Sequence, residues 1–561
     1  MKKLTAIILT VVMFFTLTTP AFADSFTFSE IRSDVPVIYI AGDSNAIWYD
    51  NETKNFKIES LFNIFSDTEE DSLKEAAINI LLPFIMEGIT FNKWDDYYEA
   101  VEKEFTELFE PIRLDENGNI PEGSDSGIAT WQKNDNKTSM TRDRKLSGGG
   151  YEERTYNFYY DWRLDPVETA EQLHTFIEAV KKVTHNQKIC ISARCIGCNV
   201  VMAYIDKYGI DSLKGLAFDV STSLGAEFLG GIISGDFGID GNSITRLLAD
   251  LKVLEGTEVN SLITSTVELL SNTGVLDTMS DVARAEIYAK IEYGIISALA
   301  TSTLMTMPSY WAMVPYEDFD EALVYVFGKE GSEKRKTYAG LIEKIKYYNE
   351  KIKKNIYPLM KSLKYDEAGE ELENSVNLCL ISKYGLQMVP LLKDGSVLGD
   401  QYVSAARSSF GATTSDIYTT LSDDYIAKKE ALGLGAYISA DKQVDASTCL
   451  FPDYTWFFKG VSHGYYTTPE SDIIMTVLAS DVQLGLGDIQ NKLGWTQFTV
   501  YDFPTHTAEP MNEENCHNEN WTADKSIDRP ETKHDKIYSL ITSLLNWVNA
   551  ILDYILSLLK K

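Results

Sequence analysis

The hydrophobic pattern opens with a basic pair, Lys2 and Lys3, an apolar run from Leu4 to Leu17, and then Ala21-Phe22-Ala23. A run that short, ended by a small-x-small step, predicts an export signal over residues 1–23 that is cleaved near Ala23. That makes a secreted or cell-surface protein the expectation. Val35-Pro36-Val37-Ile38-Tyr39-Ile40 is a compact apolar stretch closed by Ala41-Gly42-Asp43-Ser44, and it reads as a buried strand entering a turn. Residues 58–110 carry helix-period repeats such as Ala76, Ile80 and Leu81. Residues 111–150 are polar and end in Gly148-Gly149-Gly150, which predicts a surface excursion.

A strand–helix–strand pattern follows. Tyr156 to Tyr160 reads as a strand ending at Asp161-Trp162-Arg163. Asp165, Pro166 and Glu168 form a helix start: a capping carboxylate, a proline whose fixed φ suits the first turn, and Glu168 at the capping-box position. Val167, Ala170, Leu173, Phe176, Ile177 and Val180 recur at helical spacing on one face. Lys188 to Ser192 is the next strand, Val200, Val201 and Tyr204 begin another helix, and Leu213 to Phe218 is a further strand. Strands alternating with helices predict a mainly parallel sheet covered on both faces. Residues 220–375 carry few strand signals and read as a large helical cap inserted at the carboxyl end of the sheet. The core resumes with strands at 376–381 and 454–458, the latter expected to be the last, and a helix near 469–482. The divisions are therefore a leader (1–23), a first core part (24–219), the cap (220–375), a second core part (376–510), a linker (511–533) and a C-terminal helix (534–561).

Charge and cysteine usage narrow the function. A net charge of −32 repels phosphate backbones and argues against nucleic acid as a partner. Six cysteines in 561 residues are not a disulfide framework. Finger-like Cys and His spacings are missing, so neither a metal nor another cofactor is expected.

The chemistry centres on Ser192-Ala193-Arg194-Cys195-Ile196-Gly197-Cys198, between a buried strand and a helix. A nucleophile elbow needs small residues two before and two after the nucleophile, and Ala193 and Gly197 flank Cys195 in this way. The turn aims the Ile196 N–H at a bound acyl group, and the helix N-terminus favours a thiolate. Two other readings stay open: a buried structural thiol, or a redox pair of Cys195 and Cys198. Of the six histidines, His463 alone follows a strand, in Val461-Ser462-His463-Gly464. Asp441, in Asp441-Lys442-Gln443-Val444, stands between two strands, with Asp445 as a rival. The order Cys195, Asp441, His463 is that of nucleophile, acid and base.

Tyr160-Asp161-Trp162-Arg163-Leu164-Asp165-Pro166, its helix and the elbow resemble the lecithin:cholesterol acyltransferase and lysosomal phospholipase family. The strand at Val35 to Gly42, the strand at Leu378 to Gly385, the Asp441 turn and the Trp456 to His463 segment resemble that family's other blocks. The resemblance implies an α/β-hydrolase fold and an esterase or acyltransferase acting on lipid-like acyl esters. It adds the Asp43 N–H to Ile196 as an oxyanion donor. The chain departs from the family by placing Cys195 at the serine position, Arg194 before it, and Lys442 where glycine is common. A non-catalytic binding protein on the same scaffold is the rival reading. Ile537 to Leu559 is apolar with one polar stripe, which predicts an amphipathic helix lying on a membrane surface or packed on a partner.

Overall fold

The computed structural model describes residues 33–42, 48–50, 55–57, 79, 83, 95–122, 155–237, 294, 296–373, 375–388, 396–417, 419–502 and 505–516. The leader, Asp43, most of the polar excursion, residues 238–293 and the C-terminal helix lie outside the described residues.

Eight strands form one sheet among the described residues. They are β1 (Val37–Ile40), β2 (Thr155–Asn157), β3 (Ile189–Arg194), β4 (Leu213–Asp219), β5 (Asn377–Tyr384), β6 (Thr455–Lys459), β7 (Phe498–Asp502) and β8 (Thr507–Pro510). Their spatial order is β8-β7-β6-β5-β4-β3-β1-β2. Every neighbouring pair is parallel except β7 and β8. The chain steps outward from β1 to β2 and then crosses back to place β3 on the other side of β1. In open α/β sheets ligands bind at such a reversal, outside the carboxyl ends of the strands, which here are β1 and β3. The last strand was expected at 454–458, but β7 and β8 extend the sheet beyond it. From Thr499 to Asp502 buried and half-buried residues alternate, as they should in a near-edge strand.

The two-residue period sorts the strands into two cores. Ile38, Ile191, Leu216 and Leu378 face one cluster, shared with the helices after β2 and β3. Val37, Cys190, Ala217 and Cys379 face the other, closed by Ile473, Ile474 and Val477. Among the helices of the described residues are α1 (Asp95–Leu108), α2 (Pro166–Thr184), α3 (Gly197–Tyr208), α4 (Glu227–Ser234), α5 (Phe319–Phe327), α6 (Ala339–Tyr347) and α7 (Thr468–Ala479). α2 begins as its sequence predicts, with the Asp165 carboxylate accepting the Val167 N–H and Pro166 in the first turn. Glu168 does not complete a capping box. It pairs instead with Lys344 of α6, which passes beside it, at 2.7 Å.

The described parts of the 220–375 stretch are largely helical and pack on the elbow helix. Tyr348 Oη donates to the Asn199 carbonyl, and the buried Lys353 ammonium donates to the Val314 carbonyl. Phe228 of α4 reaches the loop after β5: its N–H donates to the Tyr402 carbonyl at 3.1 Å.

Candidate active site

The elbow is built as a strained turn. Cys195 has φ 51°, a region that costs a side-chain-bearing residue energy and that recurs at functional sites. Its N–H still extends the ladder by donating to the Asp219 carbonyl at 3.0 Å. Gly197 is required here because a Cβ would lie 2.8 Å from the carbonyl oxygens of both Ile40 and Ala41. A Cβ on Gly42 would lie 3.1 Å from Cys195 Cβ and 3.6 Å from Sγ, so the turn after β1 stands against the thiol. Ile196 is the residue before α3, which puts its amide at the positive end of that helix. Asp43, the other expected oxyanion donor, lies outside the described residues.

The Tyr160–Pro166 block braces this turn rather than joining the chemistry. Tyr160 Oη donates to the Ala41 carbonyl at 2.7 Å. Arg163 forks onto both oxygens of Asp161, at 2.9 and 2.7 Å, and donates to the Ile112 carbonyl. Trp162 is buried against the Tyr310 ring.

His463 follows β6, as expected, but its carboxylate partner is Asp400. The ring Nδ1 lies 2.8 Å from Asp400 Oδ2. Asp400 is fully buried, and its other oxygen accepts the N–H groups of Tyr402 at 3.1 Å and Val403 at 2.9 Å. Burial would raise this carboxyl, but the charge and hydrogen bond of His463 and the two amides outweigh it, so it is held below the usual aspartate value. An ionised carboxylate only accepts, so Nδ1 donates, and in a neutral imidazole Nε2 is then the acceptor. The Tyr402 ring packs 5.1 Å from the imidazole and edge-on to Phe228.

Neither carboxylate expected from the sequence meets His463. Asp441 accepts from Tyr384 Oη at 3.1 Å, from Ser439 Oγ at 2.5 Å, and pairs with Lys459 at 2.8 Å. Asp445 is taken by Tyr425 and Lys429. Asp441 is therefore a brace between β5, β6 and its own turn. Asp400 had a signal of the same kind: Gly399-Asp400-Gln401-Tyr402-Val403 repeats the Asp-x-x-Val spacing and lies nearer the end of β5. Gln401 and Lys442, one residue after each aspartate, both have positive φ.

All six cysteines are thiols. Cys198 is fully buried, and burial pushes its thiol up despite a Ser221 hydrogen bond. Of the two thiols at the turn, Cys195 is half-buried and Cys198 fully buried. The described residues contain no cluster of His, Cys, Asp and Glu able to hold a metal.

A mainly parallel sheet with a strained strand-to-helix turn at its switch point and a buried His–Asp pair at the same edge is an α/β-hydrolase fold. Residues 136–357 match the family described as lecithin:cholesterol acyltransferase, so this α/β-hydrolase is lecithin:cholesterol acyltransferase-like over that stretch. The match suggests acyltransferase- or lipase-like hydrolase activity in general terms. It contains Cys195 and stops before Asp400 and His463. No curated protein matches the chain. Among solved structures, a chain of "The crystal structure of Tle4-Tli4 complex" is 11% identical, with 92% of this chain and 99% of that one covered and a TM-score of 0.24.

Proposed function

We propose that this protein is an exported carboxylic-ester hydrolase or acyltransferase for lipid-like substrates, with Cys195 as nucleophile, His463 as base and Asp400 as the acid that orients it. The observation that carries this reading is the buried His463–Asp400 pair at the sheet edge that bears the Cys195 elbow. His463 takes the thiol proton as sulfur attacks the acyl carbon. The tetrahedral oxyanion is met by the Ile196 N–H. The alcohol then leaves with the proton from His463, giving a thioester on Cys195. Water or an acceptor alcohol, deprotonated by His463, attacks that thioester and returns the thiol. Phe228 beside Tyr402 supports reading the helical insertion as a cap over the site. Export, and surface contact through residues 534–561, are parts of this reading that rest on the sequence pattern.

Intact-mass spectrometry after mixing with p-nitrophenyl butyrate tests it. The wild type and Cys198→Ser are expected to carry a butyryl adduct, and Cys195→Ala none. An adduct that survives Cys195→Ala, or no adduct and no turnover in any form, refutes the mechanism.

A further inference from the structure

The nucleophile elbow and the histidine turn are 269 residues apart, and Arg194 ties them together. Its guanidinium pairs at 2.9 Å with Asp219, its register partner on β4. It lies 5.4 Å over the Tyr466 ring. It also donates to the carbonyl of His463 and, at 3.1 Å, to that of Tyr465. Lys383 of β5 reaches the same turn from the neighbouring strand. Its ammonium donates to the Tyr465 carbonyl at 2.6 Å, pairs with Glu470 at 2.7 Å and lies 3.9 Å from Asp219. Glu470 caps α7, its second oxygen accepting the Thr467 N–H. Two cations and two anions from β3, β4, β5 and α7 thus close on one short turn.

Stability alone is a poor reason for this cluster. Apolar side chains of similar volume usually replace a buried charge group at no loss. They could not grip two carbonyls of the histidine turn while standing one residue before the nucleophile.

We propose that Arg194 is a positioning residue that sets the His463 imidazole relative to the Cys195 thiol, with Lys383 as the second grip on the same turn. The inference rests on Cys195 and His463 acting as nucleophile and base. Because Arg194 and Cys195 are adjacent, displacing the guanidinium moves the base and leaves the thiol on its elbow.

The test uses the full chain with Arg194→Gln and Arg194→Lys, beside Cys198→Ser and His463→Ala. Iodoacetamide alkylation of Cys195 is followed against pH, p-nitrophenyl butyrate turnover is resolved into kcat and KM, and melting is recorded. Arg194→Gln is expected to lower kcat at least tenfold with KM nearly unchanged and to move the alkylation midpoint to higher pH. Arg194→Lys, which keeps the charge but cannot hold Asp219 and both carbonyls together, is expected to fall between. If Arg194→Gln does not fold, Arg194→Lys decides alone. Either folded variant within twofold of wild type in kcat, with an unmoved midpoint, overturns the proposal. An unchanged pH profile in His463→Ala removes the nucleophile–base reading itself, and the proposal with it.

Discussion

His463 is tied to Asp400 at two points: its ring Nδ1 meets the carboxylate at 2.8 Å and its main-chain N–H donates to the Asp400 carbonyl at 3.0 Å. Side chain and backbone of His463 are thus referred to the same residue, whose carboxylate is itself fixed by two amides of its own turn. Such a carboxylate holds the imidazole in one tautomer and stabilises the imidazolium as it forms.

Asp400→Asn therefore lowers Cys195 acylation by a factor on the order of 10³–10⁴, because an amide can donate to Nδ1 and impose the wrong tautomer. Asp441→Asn acts differently: it weakens the Lys459 brace and lowers the melting temperature while acylation stays within a few-fold. Burst kinetics with a p-nitrophenyl ester, read beside thermal melts, distinguish the two. Equal kinetic losses would return Asp441 to the site.

Asp165 makes stability depend on pH. Burial, the largest influence, raises its carboxyl to about 6 against the pull of the Val167 amide. The folded value lies above the ordinary 3.8, so the stabilising contribution is complete below that value and is lost as pH rises through about 6. The span corresponds to ~3 kcal/mol. Asp165→Asn keeps a capping oxygen for Val167 and removes the charge. Urea unfolding is expected to show the variant gaining on wild type by that amount between pH 4 and pH 7. A constant difference across that range would contradict it.

Lys383 and Glu470 are a fully buried pair. Lys383→Met leaves Glu470 and Asp219 short of a cation and costs about 3–5 kcal/mol. Adding Glu470→Gln, which can still complete the helix cap, restores most of the loss. A double-mutant cycle from denaturation curves measures the coupling, and additive losses would show that the pair is independent.

Gly197→Ala forces a Cβ to 2.8 Å from two fixed carbonyls, so α3 must move away from β1. The cost is about 1–3 kcal/mol, with loss of Cys195 reactivity. Gly42→Ala meets Cys195 Cβ at 3.1 Å and Sγ at 3.6 Å, so its effect falls on alkylation rate more than on melting.

Local pattern determined much of this protein. Apolar runs and helical spacing made the strand–helix alternation readable, because the side-chain period reports which faces are buried. The small residues around Cys195 marked the sharp strand-to-helix turn, and a strand end marked the place of His463. The carboxylate partner of His463 was not readable in the same way. Asp400 and Asp441 stand in turns with the same Asp-x-x-Val spacing and the same positive φ at the next residue, so local chemistry cannot rank them. What separates them is which loop the sheet brings beside the imidazole: one turn packs under His463, 63 residues away, while the other is taken up by Lys459 and Tyr384. The grip of Arg194 on the histidine turn is likewise a product of strand order, since only β3 lying next to β4 sets it against Asp219. Contacts between distant segments depend on how whole elements stack, and the period of a single segment carries no record of that.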